Sequence, residues 1–586
     1  MTVASRLCRR FGMTWMAAAS ALIASPGASA AQISAGAGAS VALCPHLSGT
    51  PFTDPTTVLV SSEFRPASAP QGAVPAPEHC EVIGKMQERL GANGQTYAIK
   101  FHLRMPTRWN GRLYFQGGGG TNGNVGDALG ALPGRQPQTA LNLGYAVIST
   151  DAGHDNAVND DPKLQGTATF GWDAEARRNH GYASIGTTVR AGKALVAAFY
   201  GRAPAYTYFV GGSKGGQEAM MAVQRFPEEF DAALIGYPGF RLAHAAVVQV
   251  ADAQAFAQAA RAMGYVGPDG LPLAHKALSD EDIELTSAAI LKACDGLDGL
   301  VDGMVENFTA CNTAKVAPFL ADIACKGDKT PACLLPVQIT ALREVYDGPR
   351  GKDGKALYSD WPWDPGIGVR TAAGVSQGWR IWKMGTYASD ANNGNLIRLG
   401  APSASAIFIS PPVPVASDVP SLARYILTAD VEATYAKTAV KWGAFNESAV
   451  DFMHADAIDL TPFTARGGKI IMFHGVSDPV FSINDSLRWY NEVNAREGGK
   501  AGRFIRFYAV PGMNHGRGGP ATDEFDIFSP LVAWREAGVE PGPIVARAGA
   551  ETPWPGRTRL LCAYPQQPRR VAGDSESAAS FQCVAP

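Results

Sequence analysis

The sequence predicts an α/β protein: a core sheet whose strands feed functional loops, interrupted by one large insertion. Three observations carry this. Short apolar strands at Leu113–Gln116, Tyr206–Val210, Lys469–Phe473 and Arg503–Val510 each run straight into a polar, glycine-bearing loop. One of those loops, Gly211-Gly212-Ser213-Lys214-Gly215-Gly216, leads into Gln217–Phe226, which is free of Gly and Pro and reads as a helix. Finally, 586 residues, 46% of them hydrophobic, are enough for a large core and an insertion between the second and third of these strands.

In chain order, the first element is an export signal. Arg6, Arg9 and Arg10 form a positive start, Met13–Ala24 an apolar run, and Ala28-Ser29-Ala30 a small-residue cleavage site, so the mature chain is expected to begin near Ala31. A membrane anchor fits less well, because the apolar run is short and breaks at Pro26. Residues 31–40, rich in Ala, Gly and Ser, read as a disordered leader. Losing Cys8 with the signal leaves eight cysteines, Cys44, Cys80, Cys294, Cys311, Cys325, Cys333, Cys562 and Cys583, an even number that suits disulfides in an oxidising compartment. About 105 complete pairings are open to eight cysteines; the local solution joins sequence neighbours, 44 with 80, 294 with 311, 325 with 333 and 562 with 583. A formal net charge of −2 and the lack of a polybasic run argue against nucleic acid or an anionic membrane as partner.

The strand at 113–116 enters Gly117-Gly-Gly-Gly-Thr-Asn-Gly123. Bare glycine backbone can aim N–H groups at developing negative charge, as an oxyanion hole requires. The loop lacks the Gly-Lys-Ser/Thr ending of a phosphate loop, and Gly119 or Gly120 is the expected donor. The strand at 206–210 carries Ser213 into a turn so sharp that side chains at 211 and 215 would clash. Such a turn lifts a serine hydroxyl to the top of a sheet as a nucleophile, with the Lys214 N–H as the other oxyanion donor. In a chain this rich in glycine, Gly-x-Ser-x-Gly arises by chance about 0.4 times, so it needs partners.

Those partners follow in the expected order, acid before base. Asp478 stands just past the strand at 469–473, and His515 past the one at 503–510. His515 would take the Ser213 proton while Asp478 holds the imidazole tautomer. His474, a rival base, is only four residues before Asp478 and fits a role in shaping that turn. Within the insertion, Cys294-Asp295-Gly-Leu-Asp298-Gly-Leu-Val-Asp302-Gly-Met304 sets three carboxylates among glycines. Hard oxygen donors on a tight loop suit Ca²⁺, here in a structural role distant from Ser213 in sequence; the spacing is not that of an EF-hand, and the lack of His disfavours zinc. Trp361, Trp363, Trp379 and Trp382 offer either rings over a pocket or ordinary core packing, the second being the better reading residue by residue.

Together Gly117–Thr121, Thr150-Asp-Ala-Gly-His154, the serine turn, the Cys-Asp-x-x-Asp-Gly run, His474-Gly-x-x-Asp478 and Pro-Gly-Met-x-His515 make the chain resemble the tannase and feruloyl esterase family, which includes mono(2-hydroxyethyl) terephthalate hydrolases. The resemblance runs from Cys44 to Cys583 and implies an α/β-hydrolase core at 31–241 and 459–586 with an inserted lid domain at 242–458. It also matches the local disulfide pairing. It implies a structural Ca²⁺ in the lid, held by the side chains of Asp295, Asp298 and Asp302 and the carbonyls of Leu300 and Met304, and it places Trp382 and Phe481 at the substrate; Arg398 is a candidate for binding a substrate carboxylate or hydroxyl. The activity it implies is that of an exported serine carboxylesterase for feruloyl, galloyl or terephthaloyl esters. The alternatives are an esterase for non-aromatic natural-product esters and a non-catalytic, calcium-stabilised secreted binding protein. Two departures stand out. Family members typically carry a disulfide from the residue before the nucleophile to the residue after the base; Gly212 and Gly516 occupy those positions, which leads us to expect a looser, less heat-tolerant site. Lys214 stands where Thr is usual, and its cation could greet an anionic substrate.

Overall fold

The computed structural model describes residues 40–68, 75–368 and 378–585. The expected signal (1–30) and nearly all of the leader lie outside the described residues. Nine strands form one sheet: β1 (Val58–Arg65), β2 (His79–Leu90), β3 (Thr96–Pro106), β4 (Arg112–Gln116), β5 (Ala146–Thr150), β6 (Tyr206–Gly212), β7 (Ala232–Gly236), β8 (Lys469–Gly475) and β9 (Ile505–Val510). Their order is β1-β2-β3-β5-β4-β6-β7-β8-β9. The β1, β2, β3 and β5 neighbours pair antiparallel, and from β5 to β9 every pair is parallel.

The central strands read as continuous apolar runs because both faces of the sheet are covered. All five residues of β5 and of β7 are buried, as are Ile470–Gly475 of β8. Helices α1 (Ser184–Tyr200), α2 (Lys214–Arg225), α3 (Leu242–Ala262), α4 (Asp280–Cys294), α5 (Ile483–Arg496) and α6 (Phe528–Ala537) include those that pack on the sheet. One apolar cluster includes Phe115 and Phe209 from the strands, with α1, α2 and α5; another gathers Tyr114, Tyr208, Phe473 and Tyr508 on the opposite side with α6.

The long insertion lies between β7 and β8 and holds α3 and α4. Helix α3 explains why it packs so closely: it is alanine-rich, and residues from Leu242 to Ala260 are buried around most of its circumference. Four S–S bonds join Cys44 to Cys80, Cys294 to Cys311, Cys325 to Cys333 and Cys562 to Cys583. Among the described residues no helix is long and apolar enough to cross a membrane.

Candidate active site

The parallel strands β4, β6, β7, β8 and β9 all point their C-terminal ends at one edge, where ligands collect in open α/β sheets. Ser213 follows β6 directly and starts α2, with φ +61° and ψ −125°, a conformation that non-glycine residues rarely adopt. The surrounding glycines permit it. A Cβ at Gly215 would come within 2.5 Å of the Gly118 carbonyl, and one at Gly216 within 2.5 Å of the Gly236 carbonyl. The turn, the glycine loop after β4 and the end of β7 are therefore in backbone-to-backbone contact.

His515, on the loop after β9, places Nε2 2.8 Å from Ser213 Oγ. Its Nδ1 lies 2.8 and 3.0 Å from the two oxygens of Asp478, on the loop after β8. Nδ1–H donates to the carboxylate, which leaves Nε2 to accept from the serine hydroxyl. Asp478 is fully buried. Burial pushes its pKa up, but the His515 charge and hydrogen bonds from His474 and His515 outweigh that and hold it well below the usual carboxylate value. Val480 N–H also donates to it at 2.7 Å. His474 has both ring nitrogens engaged, Nδ1 with Ser486 Oγ at 2.9 Å and Nε2 with the Phe481 carbonyl at 3.0 Å, so it braces the acid's turn and has no free nitrogen for Ser213.

In the glycine loop, Gly117 N–H donates to the Val210 carbonyl and Gly118 N–H to Glu218 Oε2. Gly119 and Gly120 are exposed, and their N–H groups donate to no acceptor among the described residues. Lys214 supplies one of the first four N–H groups of α2, which have no partner within a helix.

The structure corrects the expectation for the Lys214 side chain. It does not face the substrate space. It is 1% exposed, and its Nζ lies 3.0 Å from Glu218 Oε1, one helical turn on. Glu218 in turn accepts from Gly118 N–H at 2.9 Å and Asn122 Nδ2 at 2.7 Å. The pair thus ties the start of α2 to the glycine loop. Neither Glu218 nor Asn122 was singled out from sequence, although Lys214 and Glu218 stand at the i, i+4 spacing of a helical ion pair.

A cavity of about 870 Å³ opens on this edge, lined by Gly117, Gly212, Tyr237, Trp382, His515 and Arg517 among others. The Trp382 ring stands 5.3 Å from His515, edge to face. Phe481 is 5.7 Å from His515 but buried, and it is not among the described residues lining the cavity. Arg398 is exposed on the turn Leu396–Gly400 and is not among the described residues lining the cavity. Of the four tryptophans, Trp361, Trp363 and Trp379 are buried core. Two of them hold the acid's loop through their indole N–H groups: Trp361 donates to the Asp478 carbonyl at 3.0 Å and Trp379 to the Ser477 carbonyl at 2.9 Å. A further cavity, about 520 Å³ among residues 251–258 and 340–350, holds none of the predicted site residues.

The acidic loop is ordered by its own backbone. Asp295 accepts from Asp302 and Gly303 N–H, Asp298 from Leu300 and Glu306 N–H, and Asp302 from Met304 N–H. Asp302 is also paired with Arg559. Burial, with the charges of Asp302 and Asp295 adding to it, pushes Asp298 up to about 6. The donor chemistry, carboxylates and backbone carbonyls on one tight loop, fits a hard divalent cation. Among the described residues no three His, Cys, Asp or Glu side chains are already drawn together as a metal cage.

A family model described as tannase and feruloyl esterase matches residues 80–584. The chain belongs to this family. A mono(2-hydroxyethyl) terephthalate hydrolase of Piscinibacter sakaiensis is 43% identical over 547 residues, covering 91% of this chain and 89% of that protein. A tannase of Aspergillus oryzae is 26% identical over 571 residues, covering 88% and 87%. The crystal structure of feruloyl esterase B from Aspergillus oryzae superposes with a TM-score of 0.70 over 93% of this chain and 100% of that one, at 20% identity. The fold is that of an α/β-hydrolase, and the protein is a carboxylic ester hydrolase.

The buried Lys214–Glu218 pair yields a test. Lys214→Met leaves Glu218 buried without its counter-charge and is expected to cost about 3–5 kcal/mol in urea unfolding. Adding Glu218→Gln, which keeps an acceptor for Gly118 N–H, is expected to recover much of that loss. Equal stability of the wild type and Lys214→Met would refute the pairing.

Proposed function

We propose that the protein is an exported serine esterase that cleaves aromatic carboxylic esters of the feruloyl, galloyl or terephthaloyl kind through an acyl-enzyme. The observation that supports this most directly is the continuous Ser213–His515–Asp478 hydrogen-bonded chain, with both links at 2.8 Å and with His515 at the wall of the cavity. His515 Nε2 takes the Ser213 proton as Oγ attacks the ester carbonyl. The Lys214 N–H and the N–H of Gly119 or Gly120 receive the negative charge on the carbonyl oxygen. The tetrahedral adduct collapses as His515 passes its proton to the departing alcohol. Water then enters, gives a proton to His515, attacks the acyl-serine, and the acid leaves with Ser213 restored. Asp478 stabilises the imidazolium in both halves.

The insertion at 242–458 acts as the lid and contributes Gly378, Ile381 and Trp382 to the cavity wall, with Trp382 as the ring against which a flat acyl group stacks. Arg517, exposed at the cavity wall with no carboxylate partner among the described residues, favours a substrate that carries negative charge, such as a terephthalate monoester. The names of the relatives support this substrate class. The four disulfides and the N-terminal signal support export. The acidic loop takes a structural Ca²⁺ through Asp295, Asp298 and Asp302 and the carbonyls of Leu300 and Met304; bound there, the ion offsets negative charge and stiffens the lid.

Three outcomes are expected. A fluorophosphonate labels Ser213, and Ser213→Ala abolishes both labelling and hydrolysis of methyl ferulate, methyl gallate and a terephthalate monoester; an active Ser213→Ala enzyme would sink the mechanism. Arg517→Ala raises KM for the charged monoester about 2- to 5-fold, the effect of one solvated ion pair, and leaves methyl ferulate unchanged. EDTA lowers the melting temperature and Ca²⁺ restores it, the ion contributing about 2.7 kcal/mol when present at a hundred times its Kd; indifference to both would remove the calcium assignment.

A further inference from the structure

Gly212 and Gly516 flank the nucleophile and the base, and one ring fills the space between them. Tyr237, the first residue after β7, stands there. A Cβ added at Gly212 would lie 2.8 Å from its Cε1, and one added at Gly516 2.5 Å from the same atom, closer than side-chain carbons approach in real structures; Cζ is nearer still in both cases. The two glycines thus leave the volume that the phenol ring takes up. The expected loosening of the site meets a packed ring.

The ring also reaches the base. Its centroid is 4.7 Å from that of His515, with the planes at 70°, the edge-to-face arrangement that aromatic pairs prefer. On its other side it meets Phe473 of β8 at 5.7 Å and 74°. The backbone beneath is held rather than relaxed. Tyr237 N–H donates to the Phe473 carbonyl at 2.7 Å, and its φ is +31°, left-handed territory that a bulky residue occupies only when its surroundings impose it. The contacts that Tyr237 makes here are those of its ring, with His515 and Phe473.

We propose that Tyr237 is the positioning residue that sets the distance and tilt of His515 relative to Ser213, a non-covalent wedge between the backbone before the nucleophile and the backbone after the base. The assignment rests on the serine-esterase reading above. It makes a correlated demand: the ring requires glycine at 212 and 516, and loss of the ring removes that requirement at 212. Gly212 is the cleaner probe, since Gly516 also needs glycine for its φ of +78°.

The test is a cycle of kcat and KM measurements on one ester, using the full-length mature enzyme. Tyr237→Ala is expected to lower kcat about 10- to 100-fold, the cost of misplacing a catalytic group by a fraction of an ångström to an ångström, with KM changed less than about threefold. Tyr237→Phe, which restores the ring, restores kcat. Gly212→Ala lowers kcat by a similar factor when Tyr237 is present and adds little in the Tyr237→Ala background. A cavity merely left in the core would predict a lower melting temperature without this coupling. Should Tyr237→Ala not fold, Tyr237→Leu fills most of the volume without the planar ring and is expected to show the same loss of kcat. Unchanged kcat in the alanine or leucine variant, or equal cost of Gly212→Ala in both backgrounds, would overturn the proposal. Fluorophosphonate labelling of the wild type at Ser213 keeps the two readings apart: labelling without coupling sinks the role of Tyr237 alone, and absence of labelling sinks the esterase mechanism.

Discussion

The close approach of backbone to backbone around Ser213 is the constraint on which the rest of the site depends. Ser213 holds φ +61° because Gly211, Gly215 and Gly216 let the turn press against the glycine loop after β4 and the end of β7. A side chain at Gly215 would strike the Gly118 carbonyl, and one at Gly117 would stand 3.1 Å from the Gly211 Cα. Ser213 and the glycine loop, the nucleophile and oxyanion loop of the proposed function, are therefore packed backbone to backbone. Preorganisation of this kind is what makes hydrogen-bond donors effective at a developing charge, because no reorganisation is left to be done during the reaction.

The base and the acid are fixed differently, by side chains. Tyr237 and Trp382 surround His515 with rings at 4.7 and 5.3 Å, and Phe481 adds a third at 5.7 Å. The Asp478 turn is held from the insertion by the indole N–H groups of Trp361 and Trp379, and the His515 loop by Asp364, which accepts from Gly512 N–H. The insertion thus does more than cover the cavity: it orients the acid of the core. A lid that diverged freely for substrate specificity would still have to keep these donors, which separates its buried tryptophans from Trp382 at the cavity wall.

How much of this was legible in the sequence follows from the range of each interaction. The strands at 113–116, 206–210 and 469–473 and the loops that follow them could be read because apolar runs and glycine-rich turns are local signals. The strand expected at 503–510 starts two residues later, at Ile505, since Ala501–Arg503 close a short helical turn first. The order of Ser213, Asp478 and His515 was readable for the same reason, each standing just past a strand end. Tyr237 was not. Its role depends on where β7 lies relative to β6 and β9, a fact of sheet order, and nothing in the sequence near residue 237 distinguishes it from any aromatic after a strand. The same applies to Trp361 and Trp379, whose indole donors meet carbonyls more than ninety residues away.

Lys214 shows how a local reading can mislead at a site of this kind. A cation next to a nucleophile suggests contact with an anionic substrate, yet burial gives the side chain a different partner. Glu218 pins the glycine loop by accepting from Gly118 N–H and Asn122. A lone carboxylate behind a loop that must receive negative charge would oppose the very charge the loop stabilises, and in a water-poor interior that opposition is strong. Lys214, 3.0 Å from the carboxylate, cancels it. The pair leaves the loop pinned and the carboxylate paired with a cation. For the neighbouring His154 and His180, burial first, and the Lys214 charge next for His180, hold the pKa values far below that of free imidazole, so both stay neutral. In the proposed function, charge selection at the cavity falls to Arg517, which faces solvent and has no such compensating partner among the described residues.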